Sequence, residues 1–598
     1  MAHTSSTVEL REEQGIRIAI EGCGHGTLHA IYASIEQACR VKGWPGIDLL
    51  LIGGDFQSVR NAYDLNCVAM PAKYREMCDF HEYYSGTRTA PYLTVFIGGN
   101  HEASNYLFEL YYGGWVARNI YYMGAANILR LGPLRISGLS GIWKGYSYKK
   151  PHYERLPYNE SDLKSIYHVR EIDTRKLLQV RTQVDVGMSH DWPRGVEWKG
   201  DWKKLFAKKS HFEEDARNGQ LGSVAAKLVM DRLRPKWWFS AHLHRKFAGI
   251  VEHCGENEQS QVAPAHVVPA PPVATKAPPS NNTEEIELDL DNDIDDNAAA
   301  PMNGTASVVN ADELDLELED DVDGVAPVAP GQGLDGVQVP VDSSKSGPDT
   351  QSAAKGGTDL DAARAALPAS FSRPTTDQAP IEHPPDITNK TTHFLALDKC
   401  LPHRHFLQLM DIPVSSEVES QRPLRLSYDK EWLAITRAFA THEPLILGDP
   451  KFNAPRPKSE SEYITLIAEQ QAWIDQNLTD TDLAVPENFE VTAAVYDGGD
   501  FRMPHYSQEA GGLREYTDPQ TVKFCKLLKI PNPFDVAEEV RMARMQAGPL
   551  PDPEGERFNS GGRGRGGRGG FGGGRGRGRG GGGGGGRGRG RGRGGWRG

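Results

Sequence analysis

Between residue 16 and about residue 253, apolar positions gather into short runs: Ile16–Ile20, Asp48–Ile52, Leu93–Ile97, Leu134–Ile136, Val184–Met188 and Trp237–Phe239. Each run has strand length, is rich in aliphatic or aromatic residues, and is bounded by glycine or polar positions, so each predicts a buried strand. Leu28–Val41 follows the other period, with Leu28, Ile31, Ile35 and Ala38 on one helical face. Strand, helix and strand in that order predict a layered α/β domain over residues 15–254. In such folds ligands gather at the carboxyl ends of the strands.

The pattern then changes twice. Residues 255–386 are dominated by Pro, Ala, Ser, Gly and acids, and Phe371 is their single aromatic residue. So little apolar surface cannot offset chain entropy, which predicts a disordered linker. Residues 387–548 regain Trp, Phe and Leu with helical spacing, notably at Ser461–Leu478 and Val536–Gln546, and predict a smaller, mainly helical second domain. Residues 555–598 form an arginine–glycine tail, also expected to be disordered.

Composition adds one point. The net charge of −13 hides an asymmetry: Thr283–Asp323 holds sixteen acidic residues and no Lys or Arg, while Arg557–Gly598 holds twelve Arg and no acid. An arginine-rich tail suits RNA phosphates with little sequence preference. The seven cysteines (23, 39, 67, 78, 254, 400 and 525) lack disulfide-framework spacing, which suits a reducing compartment. The amino terminus has no secretory pattern, and no run reaches the roughly 18 apolar residues of a membrane span. The expectation is a soluble intracellular protein with no membrane partner.

Candidate chemistry follows the strand-like runs in five places: Cys23-Gly24-His25, Gly54-Asp55, Gly99-Asn100-His101-Glu102, Ser189-His190-Asp191 and His242-Leu243-His244. These supply the donors of a two-metal centre, in which a bridging hydroxide attacks a phosphodiester and the cations neutralise its oxygens. Such a centre needs a carboxylate shared by both ions, and Asp55 is the best candidate. Cys23 and His25, two apart among glycines, can turn toward one ion, and a thiolate with an imidazole favours Zn²⁺ or Fe²⁺ over Mg²⁺. Asn100 offers an amide oxygen. His101 beside it cannot easily bind the same ion and is free to act as a general acid. His190, His242 and His244 complete the donor set. Glu102 and Asp191 are candidates for orienting the histidines, with plain surface carboxylates as the alternative.

Together these motifs resemble the calcineurin-like metallophosphoesterases, whose pattern runs Asp-x-His, Gly-Asp, Gly-Asn-His-Glu, His, Gly-His-x-His. The chain departs from it at Cys23, where the usual residue is Asp, and at Ser240-Ala241 before His242. Those departures are similar to the RNA lariat debranching enzymes. So are Gly54-Asp55-Phe56-Gln57, Tyr112-Gly113-Gly114-Trp115-Val116-Ala117 and Ser189-His190-Asp191-Trp192-Pro193. The likeness is dense over 15–250 and continues more weakly through 391–450, as at Leu397-Asp398-Lys399-Cys400.

The resemblance implies a metallophosphoesterase β-sandwich flanked by helices, a debranching-enzyme carboxyl-terminal domain, and hydrolysis of the 2′–5′ branch of excised intron lariats in the nucleus, with shuttling to the cytoplasm. It implies one metal on Cys23, His25, Asp55 and His244 and a second on Asp55, Asn100, His190 and His242, with His101 protonating the departing 2′-oxygen. Two divalent ions are expected, Fe²⁺ and Zn²⁺ ahead of Mn²⁺. Residues 140–170 would be the lariat recognition loop, with Trp143, Lys144, Tyr146, Tyr148, Lys149, Lys150, Tyr153 and Arg155 holding RNA by stacking and charge. The rival readings are a metallophosphoesterase for another diester and an RNA-binding scaffold with a structural metal site.

Overall fold

The computed structural model describes residues 15–253, 383–414, 422–449, 451–452, 454–502 and 513–551. The arginine–glycine tail and all but the last four residues of the expected linker lie outside them.

Thirteen strands in the described residues form two sheets. They are β1 (Ile16–Glu21), β2 (Leu49–Ile52), β3 (Thr94–Phe96), β4 (Gly114–Ala117), β5 (Ile120–Tyr122), β6 (Ala126–Leu131), β7 (Leu134–Leu139), β8 (Val186–Ser189), β9 (Trp237–Ser240), β10 (Phe247–Glu252), β11 (Thr391–Ala396), β12 (Leu407–Ile412) and β13 (Leu426–Tyr428). One sheet has the order β12-β1-β2-β3-β5-β4 and the other β10-β11-β9-β8-β7-β6-β13. Strands β1, β2 and β3 run parallel in the first, as do β7, β8 and β9 in the second.

The apolar runs read as they do because both faces of each sheet are covered. In β2, Leu49 and Leu51 enter the core between the sheets, with Ile16, Ile18 and Ile20 of β1 and with Ile136, Val186 and Phe239 from the opposite sheet. Leu50 and Ile52 face the other way, packing with Leu28, Ile31 and Ile35 of the helix Leu28–Lys42. That helix ends where expected for its chemistry: Arg40 and Lys42 lie in its last turn, and Gly43 takes the left-handed cap at φ 68°. On the outer side of the second sheet, Ala225, Val229 and Leu233 of the helix Val224–Leu233 pack with Trp192, Trp238 and Phe394. The layers are therefore helix, sheet, sheet, helix.

The carboxyl-terminal part is helical, as expected, over Lys430–His442, Glu460–Asn477, Pro519–Leu528 and Glu538–Ala547. Before those helices it supplies strands to both sheets, which periodicity did not reveal. β12 pairs antiparallel with β1, β11 lies between β10 and β9, and β13 pairs with β6. Asp429 fastens this region. Its buried carboxylate accepts from the Trp432 amide at 3.1 Å, capping the helix, and from Arg130 Nε at 2.7 Å and Arg135 Nη2 at 2.7 Å. Asp429→Ala should therefore leave Arg135 buried without its main counter-ion and lower stability by about 3–5 kcal/mol. Equilibrium denaturation checks this, and a loss below about 1 kcal/mol, the size of a simple cap effect, would reduce Asp429 to a helix cap.

Candidate metal centre

The carboxyl ends of β1, β2 and β3 in one sheet and of β8 and β9 in the other open toward the same place. Each turn that follows carries candidate ligands: Cys23 and His25 after β1, Asp55 after β2, Asn100 and His101 after β3, His190 after β8, and His242 and His244 after β9. Main-chain bonds lock the first two turns together, since the amides of Gly24, His25 and Gly26 donate to the carbonyls of Gly54, Asp55 and Phe56. His25, Asp55, His242 and His244 all have positive φ, at 40°, 47°, 63° and 48°. Non-glycine residues adopt that region only where the surroundings enforce it, and such strain concentrates at functional sites. Packing is so close that a Cβ on Gly54 would overlap the His190 ring and one on Gly99 would overlap the Asp55 carboxylate.

Asp55 lies at the centre, 1% exposed. Its Oδ2 is 3.7 Å from His25 Nε2, and its Oδ1 is 3.4 Å from His190 Nε2 and accepts from the His101 amide at 2.8 Å. Each oxygen thus faces a different half of the site. On one side Cys23, His25, Asp55 and His244 bring one donor atom each within 4.8 Å of one another, and the Nε2 atoms of His25 and His244 are 3.3 Å apart. On the other, His190 Nε2 is 3.2 Å from Asn100 Oδ1, and the His190 and His242 rings have centroids 4.9 Å apart.

These donors fit a pair of cations on chemical grounds. His190 Nδ1 sits 2.8 Å from the Gly53 carbonyl and must donate to it, so Nε2 of a neutral ring presents a lone pair to the Asn100 and Asp55 oxygens. Electron-rich atoms that close need a positive charge between them. Burial pushes His25 down to about 4 and His242 to about 3, and lowers His244 well below the ordinary histidine value, so these rings stay neutral. Burial alone would raise Asp55, but the imidazoles of His190, His101 and His25 and the His101 amide hold it well below the usual carboxylate range. Burial, with the nearby Asp55 and Glu21 carboxylates, pushes the Cys23 thiol up against the 3.2 Å bond that its sulfur accepts from the His242 amide. A cation would reverse that and take the thiolate.

His101 is set apart from the ligands. Its Nδ1 lies 3.1 Å from the Ala69 carbonyl, which leaves Nε2 for the site, and its ring centroid is 5.8 Å from that of His25. Neither Glu102 nor Asp191 orients a histidine. Glu102 is buried and accepts from the amides of Phe56, Gln57 and Gly99 at 2.8–2.9 Å, tying the Asp55 turn to the Asn100 turn. Burial and Asp55 push it up to about 8 against those three donors. Asp191 is also buried and accepts from the Trp143 amide at 3.2 Å, fixing the start of the 140–170 segment. Sequence reasoning missed the carbonyls of Gly53 and Ala69, which set two imidazoles and carry no side-chain signal.

The proposed RNA residues differ in exposure. Tyr146 is 66% exposed and Lys149 is exposed, while Lys144, Lys150, Tyr153 and Arg155 are half-buried. Trp143 and Tyr148 pack together against the core of the second sheet, with ring centroids 4.8 Å apart. Arg155 lies over Phe108 at 4.7 Å, and the Tyr153 hydroxyl is 3.1 Å from Ser165 Oγ. Lys144 acts electrostatically on His242 and Asp191, which puts its charge beside the second half of the centre.

Two known families match parts of this chain. Residues 16–246 match the calcineurin-like phosphoesterase family and residues 389–533 the carboxyl-terminal domain of the lariat debranching enzymes. A lariat debranching enzyme of Schizosaccharomyces pombe is 34% identical over 517 residues, 85% of this chain and 95% of that relative. One of Homo sapiens is 36% identical over 516 residues, 86% of this chain and 69% of the relative. One of Arabidopsis thaliana is 50% identical over 238 residues, 40% of this chain and 57% of the relative. With both domain families matched and one relative covered almost end to end, the chain belongs to the lariat debranching enzyme family.

Proposed function

We infer that this protein is a hydrolase that opens the 2′–5′ phosphodiester at the branch of excised intron RNA, linearising lariats for turnover. The observation that carries this reading is the division of labour around Asp55: donors on both of its sides, and beside them a histidine that is not one of them. A dinuclear divalent centre is a property of the phosphoesterase family. When bound, such a pair supplies a hydroxide nucleophile and neutralises the phosphoryl oxygens. Cys23, His25, Asp55 and His244 would hold one ion, and Asp55, Asn100, His190 and His242 the other. We assign Fe²⁺ and Zn²⁺ as the favoured ions, with Mn²⁺ next, because Cys23 replaces a hard carboxylate with a soft thiolate.

The chain's own groups do the rest. Hydrogen bonds from the Phe56, Gln57 and Gly99 amides to Glu102 hold the Asp55 and Asn100 turns at fixed spacing. His101, anchored through Nδ1, delivers a proton from Nε2 to the departing 2′-oxygen. A structural metal site would have no use for that histidine, which disfavours the scaffold reading. Tyr146 offers the exposed stacking face of the 140–170 loop. We assign the arginine–glycine tail to sequence-blind RNA binding and the protein's working place to the nucleus, with shuttling to the cytoplasm. Among the described residues no helix is long and apolar enough to cross a membrane.

Five variants test this reading. Cys23→Asp should move metal activation toward Mn²⁺ or Mg²⁺; a profile equal to the parent's would remove Cys23 from the ligand set. His101→Ala should cut turnover of branched RNA by about 10²–10⁴-fold with metal content unchanged, as measured by single-turnover kinetics and elemental analysis. Loss of metal in that variant would make His101 a ligand. Third, Tyr146→Ala should weaken branched RNA by about 1–3 kcal/mol, the value of one stacked base. Tyr148→Ala should instead lower the melting temperature, and deletion of 561–598 should weaken all RNAs alike and flatten the salt dependence. Equal effects of the two tyrosine variants on RNA affinity would make the loop a fold element alone.

A further inference from the structure

Residues 397–406 join β11 in one sheet to β12 in the other, and on the way they pass directly against the turn that carries Cys23. The Cys23 amide donates to the Asp398 carbonyl at 3.3 Å, the Cys400 amide donates to the Cys23 carbonyl at 3.4 Å, and the Gly22 amide donates to the Phe406 carbonyl at 3.1 Å. Cys23 and Lys399 pair as an isolated parallel bridge. The approach is so close that a Cβ on Gly22 would overlap the Asp398 carbonyl. The backbone of Lys399 is therefore laid beside a metal ligand by a segment more than 370 positions away in sequence. Its amide donates to Asp398 Oδ1 at 2.8 Å, and the Asp398 carboxylate also pairs with Arg404 at 3.6 Å.

The Lys399 side chain is half-buried, and its charge is felt by both imidazoles of the Cys23 half, His25 and His244. The ammonium felt by His242 on the other half is that of Lys144. Two lysines from unrelated parts of the chain thus flank the two halves of one centre. A diester within a nucleic acid is never isolated, because further phosphates leave it along each arm.

We propose that Lys399 is a substrate-binding residue that holds a backbone phosphate next to the scissile one, on the Cys23 side, with Lys144 serving the opposite arm. The proposal rests on the branched-RNA reading above and adds the residue that sets which arm lies where. An ammonium suits a flanking phosphate, which must be held but not oriented by a fixed fork of donors.

The test compares parent, Lys399→Met and Lys399→Arg on a branched 2′–5′ RNA across a salt series. The Met variant should raise KM by about 10- to 100-fold, the effect of one lost charge-assisted contact. It should also reduce the slope of log(kcat/KM) against log salt by about 0.7, the value of one single-strand phosphate contact. Arg should restore most of the slope, and metal content and melting temperature should match the parent's in both. A Met variant with the parent's KM and slope would overturn the assignment of Lys399 while leaving the debranching reading intact. Loss of metal or of folded protein in the Met variant, unrelieved by Arg, would make Lys399 a structural support and overturn it equally. A parent protein inert on branched RNA would overturn both readings.

Discussion

One carboxylate organises this molecule. Asp55 is shut away from water, yet its two oxygens face imidazoles that come from different sheets, His25 after β1 and His190 after β8. That arrangement demands that two stacked sheets present their strand ends to a common point, within the tolerance that holding a pair of metal ions would require. The helices outside, the apolar layer between and the glycines beneath the ligands all serve this tolerance. Gly54 and Gly99 leave room where any side chain would strike His190 or Asp55. Glu102 then fixes the spacing of two ligand turns through three amides.

Much of this was legible in the chain because the relevant signals are local. A strand buried on both faces reads as an unbroken apolar run, and a ligand in the turn after it sits within a few residues of that run. Leu49–Ile52 followed by Asp55 is the clearest case. What escaped was non-local or unmarked. β5 is three residues long, follows the left-handed turn at Asn119, and has no period of its own. β11, β12 and β13 looked like the prelude to a helical domain, since nothing in a strand's own sequence names its partner. Trp143 and Tyr148 read as stacking platforms by composition, but their rings lie against the core. An aromatic residue beside lysines looks the same in sequence whether it faces solvent or not.

The carboxyl-terminal segment is part of the catalytic architecture. β12 extends the first sheet next to β1, and the connection before it braces the Cys23 turn from behind. Asp429, Glu431, Glu443 and Glu460 meet Arg135, Arg175 and Arg181 from the second sheet's side, so charge and strand pairing join the regions together.

The pairing of β10 with β11 has a consequence for how this chain can change. Glu252 faces Thr391 across the ladder, and the His253 amide donates to the Lys390 carbonyl at 2.8 Å. The chain therefore leaves and re-enters at adjacent antiparallel strands, the two ends that an ordinary hairpin turn would join. Residues 253 and 390 thus sit side by side at the mouth of a hairpin. Closing a flexible loop grows dearer only logarithmically, by about 0.6 kcal/mol for each doubling of length. Ends held in this way accept connections of very different length with little penalty to the sheet on either side. The β10–β11 pairing thereby decouples the catalytic body from the length of the sequence that joins its two halves.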